Sequence, residues 1–256
     1  MQDLKVSLIQ CDQVWEDKKA NLAHFETMLK EVQLPTDIVV FPEMFQTAFT
    51  MNAVEMAESI NGESVQWLKK MAAKYECAMV ASLIIQDGNE FNNRMVFIQA
   101  DGSMQQYNKR KLFGLAKEDK TFTPGKENTI FEYKGWKIFL QVCYDLRFPE
   151  IARNSVKNDV YEYDLLINVA NWPEKRNLHW STLLQARAIE NQVYVIGVNR
   201  VGEGSNGLTY SGDSCIIAPS GMIVSSVSYD EHVVNEELEH ETLKEVRKVM
   251  PFLKDR

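Results

Sequence analysis

The order of apolar strands and amphipathic helices constrains this chain more than any other feature. Leu4-Lys-Val-Ser-Leu-Ile-Gln alternates as a strand. From Ala20 to Val32, Leu22, Phe25, Leu29 and Val32 recur at helical spacing, and Pro35 stops the helix. Asp37-Ile-Val-Val-Phe41 reads as a short buried strand closed by Pro42-Glu43. A second helix is expected near Ser64 to Tyr75, then a strand from Ala78 to Ile85. Arg94 to Gln99 and Gln105 to Lys109 form a hairpin across Ala100-Asp-Gly-Ser103. Leu112 to Glu127, with Pro124-Gly125, is longer than a bare connector needs.

The pattern then returns. Ile130 to Tyr133 and Trp136 to Val142 form a hairpin around Lys134-Gly135, followed by an expected helix after Cys143. Tyr163 to Val169 is a strand, Leu178 to Asn191 a helix and Val193 to Val198 a strand. Three more strands are expected at Ser214 to Ala218, Ile223 to Val227 and Val233 to Leu238. With no linker, repeat or low-complexity stretch, the reading is one α/β domain over residues 1–256, its strands in more than one sheet. About 240–256 is a C-terminal helix or tail, whose Leu243, Val246, Val249 and Met250 could face the domain, a partner subunit or the pocket rim.

Composition narrows the function. The net charge of −8 with four His argues against a general nucleic-acid binder and leaves a small molecule as the default partner. No apolar run approaches membrane-spanning length, and Met1-Gln-Asp-Leu-Lys lacks the character of a signal peptide, so the expected location is the cytoplasm. Cys11, Cys77, Cys143 and Cys215 are far apart in sequence, and His24, His179, His232 and His240 form no ligand-spaced cluster with them, so neither disulfides nor a metal site is expected. Cys11, Cys77 and Cys215 sit in or beside apolar strands and read as core.

Cys143 differs, because it stands where a strand becomes a helical turn opened by Pro149. Backbone N–H groups at such a turn favour a thiolate and can bind an oxyanion, as at the nucleophile elbow of hydrolases. The ordinary reading of a lone cysteine is a small buried hydrophobe. Three other residues supply what a cysteine nucleophile needs. Glu43, at the end of a buried strand, lies where α/β sheets carry ligands and can act as a base. Lys109, in Lys109-Arg-Lys111, can turn inward as an oxyanion-stabilising cation, and Glu118 can orient it. Each is an ordinary surface charge when taken alone; together they fill the roles of amide hydrolysis through a thiol.

Four motifs in order extend this pattern: Val40-Phe-Pro-Glu43, Tyr107-Asn-Lys109-Arg-Lys-Leu-Phe113, Glu118-x-x-x-Phe122-x-x-Gly125 and Val142-Cys143-Tyr-Asp-Leu-Arg147-Phe-Pro149. Across essentially its whole length the chain resembles the nitrilase superfamily of carbon–nitrogen hydrolases. It looks most like the ω-amidase branch, through Cys143-Tyr-Asp-Leu-Arg147-Phe-Pro, Ala170-Asn-Trp172-Pro173, Ala186-Arg-Ala-Ile-Glu-Asn191-Gln and Asn199-Arg200-Val-Gly. The resemblance implies a four-layer α-β-β-α sandwich, a homodimer or higher assembly, and a Glu–Lys–Cys triad with no metal or organic cofactor. Position by position it implies Glu43 as general base, Lys109 as oxyanion cation and Cys143 as nucleophile. Glu118 is the supporting glutamate, and the Tyr144 backbone N–H shares the oxyanion.

The implied substrates are small dicarboxylate monoamides such as 2-oxoglutaramate and 2-oxosuccinamate, cleaved to the acid and ammonia through a thioester. Other carbon–nitrogen hydrolase activities (N-carbamoyl amidase, aliphatic amidase, nitrilase) are the alternatives, followed by a non-catalytic binding member of the fold. Arg200 and Arg147 are candidates for the substrate carboxylate, with a structural ion pair the competing reading of each. Arg187 reads as a helix pair with Glu190. Trp172 is a candidate pocket wall or a packed core indole. Relatives often carry His where this chain has Lys111, so a more positive local field is expected there.

Overall fold

The computed structural model describes residues 2–205 and 207–255. In chain order the strands are β1 (Leu4–Gln10), β2 (Ile38–Val40), β3 (Ala78–Asp87), β4 (Glu90–Ile98), β5 (Met104–Asn108), β6 (Ile130–Tyr133), β7 (Trp136–Val142), β8 (Val156–Lys157), β9 (Val160–Tyr161), β10 (Leu165–Val169), β11 (Tyr194–Val198), β12 (Val201–Glu203), β13 (Thr209–Ile217), β14 (Ile223–Ser228) and β15 (His232–Leu238). The α-helices are α1 (Lys18–Met28), α2 (Ala53–Met56), α3 (Glu63–Tyr75), α4 (Glu118–Thr121), α5 (Asn177–Asn191) and α6 (His240–Val249).

Two sheets carry the fold. One has the order β15-β1-β2-β3-β4-β5; the other has β12-β13-β11-β10-β7-β6, with β14 paired to β13. Strands β1, β2 and β3 are parallel, as are β7, β10 and β11. Their apolar runs are continuous because both faces are covered, and the two-residue period sends alternate side chains to different cores. Val6, Ile38, Val40, Val80, Ile138, Leu140 and Ile167 meet in one cluster between the sheets. Val39, Met79 and Ala81 point the other way, onto Phe25 of α1 and Leu68 of α3. Phe139 and Leu166 point onto Trp180 and Leu184 of α5. The layers are therefore helix, sheet, sheet, helix, the four-layer α-β-β-α sandwich. Gly197 lets α5 approach: a Cβ there would stand 2.4 Å from Leu184 Cδ1.

Three local readings change. The segment after Cys143 is not an α-helix but two 3-10 turns, Cys143–Arg147 and Pro149–Ile151. Pro149 has no N–H to extend the first turn, so it starts a second one instead. The hairpin before Lys109 pairs where the sequence suggested, from Arg94↔Asn108 to Ile98↔Met104, but its first strand begins earlier, at Glu90, because it also forms a hairpin with β3 from Asp87↔Glu90 onward. The C-terminal segment packs on its own sandwich: Leu243 is buried, and Arg247 reaches Asp164 Oδ1 (2.6 Å) and the carbonyls of Tyr163 and Gln192. Val249 and Met250 are exposed, so only part of the expected stripe faces inward; Arg256 lies outside the described residues.

Candidate active site

The carboxyl ends of the parallel strands converge on one edge of the sandwich. β2 runs into Phe41-Pro42-Glu43, β7 into Cys143, β10 into Ala170-Asn171 and β11 into Asn199-Arg200. β5 is antiparallel to β4, which is antiparallel to β3, so it ends at the same edge and delivers Lys109 there. The long connection after Lys109 is held down by Gly125, whose N–H donates to Lys109 O (2.9 Å). A Cβ at Gly125 would fall 2.1 Å from Asn108 O, which explains the glycine. The same connection folds into α4 and brings Glu118 back under the lysine.

Lys109, Glu43 and Glu118 have no solvent-exposed side-chain surface. Lys109 Nζ donates to Glu43 Oε1 (2.8 Å) and to Glu118 Oε1 and Oε2 (both 2.9 Å). Asn93 Nδ2 joins the two carboxylates, donating to Glu43 Oε1 (2.8 Å) and Glu118 Oε1 (3.2 Å). The backbone N–H of Phe113 donates to Glu118 Oε2 (2.6 Å), and that of Asn171 to Glu43 Oε2 (2.8 Å). Burial alone would pull the ammonium down, but the charges of Glu118 and Glu43 outweigh it and hold Lys109 firmly protonated.

Cys143 takes a left-handed backbone conformation (φ 45°), rare for a residue with a Cβ. Asn168 Oδ1 accepts its N–H (3.1 Å), and buried Asp145 fixes the flanks. Asp145 accepts from Val142 N (3.0 Å), Tyr107 Oη–H (2.8 Å) and Lys111 N (2.8 Å), tying the nucleophile turn to the strand that delivers Lys109. Burial pushes its carboxyl up to about 6, against the donors around it. The turn leaves the Tyr144 N–H in the first residues of a 3-10 helix, where no intrahelical acceptor is available. The expectation of a favoured thiolate is corrected: burial, then Glu43, push the Cys143 thiol well above its ordinary range, and Lys109 only partly offsets them. The resting group is a neutral thiol beside a carboxylate.

A cleft opens onto Cys143 and Lys109, with Phe49, Phe113, Trp172 and Tyr210 among its walls. Trp172 is both wall and packed indole; its ring lies 5.5 Å from that of Trp180, and its Nε1–H donates to Arg176 O (2.8 Å). Two guanidinium groups line the cleft. Arg147 stacks over Trp172 (4.5 Å) and Arg176 over Phe113 (5.5 Å). Among the described residues neither is seen in an ion pair; burial and then the charge of Arg176 lower the Arg147 pKa. Arg147 Nη1 meets His179 Nδ1 at 3.2 Å.

Arg200 is elsewhere. It is 2% exposed, pairs with Asp12, donates to the carbonyls of Gln13 and Glu203, and stacks over Tyr210 from outside the cleft, so it is a structural ion pair and not a pocket cation. Lys111 is turned away from the cleft: its ammonium lies over Phe148 (4.6 Å) and pairs with Glu150 (3.5 Å), so its charge does not enter the pocket. Arg187 pairs with Glu190 (2.7 Å), as the spacing suggested. Among the described residues, no group of three His, Cys, Asp or Glu side chains could hold a metal ion.

The sequence reading missed Asn93, Asp145, Asn168, Asn171 and Arg176 as parts of the site. Arg176 lies in Glu174-Lys-Arg176, which reads as a solvated charge run; only its place after Trp172-Pro173 hinted at the pocket. The asparagines carry no spacing signal, since strand pairing alone puts Asn93 beside Glu43 and Asn168 beside Cys143.

The profile of the carbon–nitrogen hydrolase family matches residues 5–248. An ω-amidase, YafV, of Yersinia enterocolitica is 41% identical over 256 residues, covering 100% of this chain and 97% of that protein. A 2-oxoglutaramate amidase of Bacillus subtilis is 31% identical, covering 98% of this chain and 96% of its own. Among solved structures, a CN-hydrolase superfamily protein from Xanthomonas campestris, with an arsenic adduct in its active site, superposes with a TM-score of 0.97 at 37% identity. That match covers 100% of this chain and 98% of that one.

Proposed function

The chain belongs to the carbon–nitrogen hydrolase family, and from that premise we propose that it is an ω-amidase. It hydrolyses the terminal amide of small dicarboxylate monoamides, 2-oxoglutaramate and 2-oxosuccinamate, to the acid and ammonia. The observation that carries the substrate class is the pair of guanidinium groups, Arg147 and Arg176, in a cleft that also holds Cys143. Two stacked cations without an acidic partner among the described residues suit a substrate carboxylate at the end remote from the amide.

The chemistry follows from the buried cluster. Cys143 is the nucleophile. Its neutral thiol gives its proton to Glu43 as the sulfur attacks the amide carbon. Lys109 Nζ and the Tyr144 N–H stabilise the oxyanion, and Glu118 holds the lysine in place. Glu43 returns the proton to the leaving nitrogen, ammonia departs, and the same carboxylate activates the water that hydrolyses the thioester. Each proton removed is returned, so the cycle regenerates thiol and carboxylate.

The same proposal covers the setting. The enzyme works as one domain over residues 1–256, in the cytoplasm, as a homodimer or larger assembly; no described helix is long and apolar enough to cross a membrane. The exposed Leu178 (70%) and Ile189 (45%) on α5, with Met222 (64%) beside β14, offer an apolar surface for a second copy. Light scattering tests that assembly. The decisive experiment is ammonia release from 2-oxoglutaramate by wild-type protein and by Cys143→Ala. Release abolished by the substitution supports the proposal. No release from folded wild-type protein that is alkylated at Cys143 refutes the substrate and directs the search to N-carbamoyl compounds and nitriles.

A further inference from the structure

A cation that receives a substrate carboxylate needs a fixed direction as well as a charge. Arg147 closes the 3-10 turn that begins at Cys143, and α5 holds that turn at two points. Arg187 of α5 donates through Nη2 to Leu146 O (2.6 Å), which pins the backbone beside Arg147. His179, in the first turn of α5, meets the Arg147 side chain itself, with Nδ1 3.2 Å from Nη1. The helix is a firm support there. The next residue, Trp180, is fully buried, donates through Nε1 to Asp213 O (2.8 Å) and lies 5.5 Å from the ring of Trp172.

A guanidinium group can only donate, so His179 Nδ1 is the acceptor and the ring proton is on Nε2. Two restraints therefore act on Arg147. Its guanidinium carbon lies 4.5 Å from the centre of the Trp172 ring, a wall of the cleft. Contact with a ring face leaves the group free to turn over that face; a hydrogen bond at one nitrogen removes the freedom. Nη1 is thereby committed to His179. Nε and Nη2 share the other edge of the guanidinium and have no acceptor among the described residues. Such an edge takes a carboxylate with two parallel hydrogen bonds.

The surroundings give the restraint a purpose. Arg147 lines both the catalytic cleft and a depression outside it, formed with Leu178, His179, Thr182 and Leu183. A side chain at that boundary has two places to turn, and only one serves the substrate. The restraint also leaves the charge intact. A carboxylate in the place of His179 would hold the guanidinium but offset its charge, as Asp12 does for Arg200. An imidazole accepting at Nδ1 does not. We propose that His179 is a positioning residue for substrate binding, holding Arg147 by one edge so that the other edge receives the carboxylate remote from the scissile amide. The inference deepens the ω-amidase reading and rests on it.

The test measures kcat and KM for 2-oxoglutaramate in His179→Leu and His179→Asn, each alone and combined with Arg147→Met. Thermal melting monitors folding. Leucine keeps bulk without an acceptor, whereas asparagine puts an amide oxygen near the place of Nδ1. One such hydrogen bond is worth about twofold to tenfold in an equilibrium constant. His179→Leu should raise KM about threefold with kcat changed less than about twofold, and His179→Asn should restore most of that loss. In the Arg147→Met background, His179→Leu should leave KM where Arg147→Met set it, because its effect passes through that side chain. An unchanged KM in His179→Leu, a loss in kcat instead, no rescue by asparagine, or the same threefold rise on top of Arg147→Met would overturn the inference. So would wild-type turnover with a KM insensitive to Arg147→Met. Failure of the wild-type enzyme to turn over 2-oxoglutaramate is a separate result, which refutes the ω-amidase reading itself.

Discussion

Replacing Lys109 by Met should destabilise the protein, and the loss should be reversed in part by removing a second charge. In the native site one ammonium lies between two carboxylates, all three without side-chain exposure. Lys109→Met leaves Glu43 and Glu118 facing each other in the interior. Breaking a buried ion pair from one side costs about 3–5 kcal/mol, or roughly 6–20 °C in melting temperature for a chain of this size. Part of that cost is mutual repulsion. Lys109 Nζ lies 2.8 Å from Glu43 Oε1 and 2.9 Å from Glu118 Oε1, which keeps the two oxygens close. At a separation of about 6 Å and an effective dielectric constant of about 20, two like charges repel by about 3 kcal/mol. Glu118→Gln should therefore change sign with background. It should destabilise the wild-type protein, where it takes a partner from the lysine, and stabilise the Lys109→Met variant, where it removes the repulsion. Urea denaturation of the four proteins at one pH measures the cycle. A double variant no more stable than Lys109→Met would refute the charge-balance argument.

Four further outcomes are expected. Arg147→Met and Arg176→Met should each raise KM for 2-oxoglutaramate about tenfold with little change in kcat, and leave a neutral amide such as propionamide unaffected; equal effects on both substrates would count against a carboxylate clamp. Arg200→Met should lower melting temperature through loss of its pairing with Asp12 but leave KM unchanged, as measured on the same substrate. Asp145, pushed up to about 6, contributes stability below the pKa of an unfolded aspartate and loses it as pH rises through about 6; the stability advantage of wild type over Asp145→Asn should thus shrink by about 2 kcal/mol between pH 4 and pH 7, and an advantage that widened would contradict it. Iodoacetamide should modify Cys143 with a rate that keeps rising above pH 8, because the thiol sits above its ordinary range; a rate already level at pH 7 would mean a resting thiolate.

The layers were legible where period and burial agree. Ile38-Val-Val and Ile138 to Val142 are apolar on both faces, and a strand with both faces covered has to lie between two other layers. The nucleophile turn was legible as a break in pattern but not in kind. A helix was expected after Cys143 because Pro149 suits a first turn, yet the three hydrogen bonds to Asp145 and the φ of 45° favour a tight 3-10 turn that sequence periodicity does not register. Arg147 and Arg200 show the limit for single charges. Both follow strands that end at the site, and sequence could not tell that Asp12, far away in the chain, meets Arg200, while no acidic residue meets Arg147 among the described residues.

The neutral state of Cys143 connects the parts of the site. Two carboxylates already engage the one buried ammonium, so the cluster is net negative before the thiol ionises. A thiolate there would add another negative charge to the buried cluster, which is why burial and Glu43 together outweigh Lys109. In the proposed mechanism the thiol therefore gives up its proton as the sulfur–carbon bond forms, instead of resting as an ion pair with the lysine. That places the receiving atom under a geometric demand. On the proposed mechanism that atom is a carboxylate oxygen which Lys109 does not occupy, and Glu43 Oε2, held by the Asn171 N–H, meets that condition. Once the sulfur is bonded to carbon, the new negative charge resides on the substrate oxygen, and there the lysine that failed to stabilise a thiolate can act. Its placement between two carboxylates keeps it protonated, as the proposed oxyanion role requires.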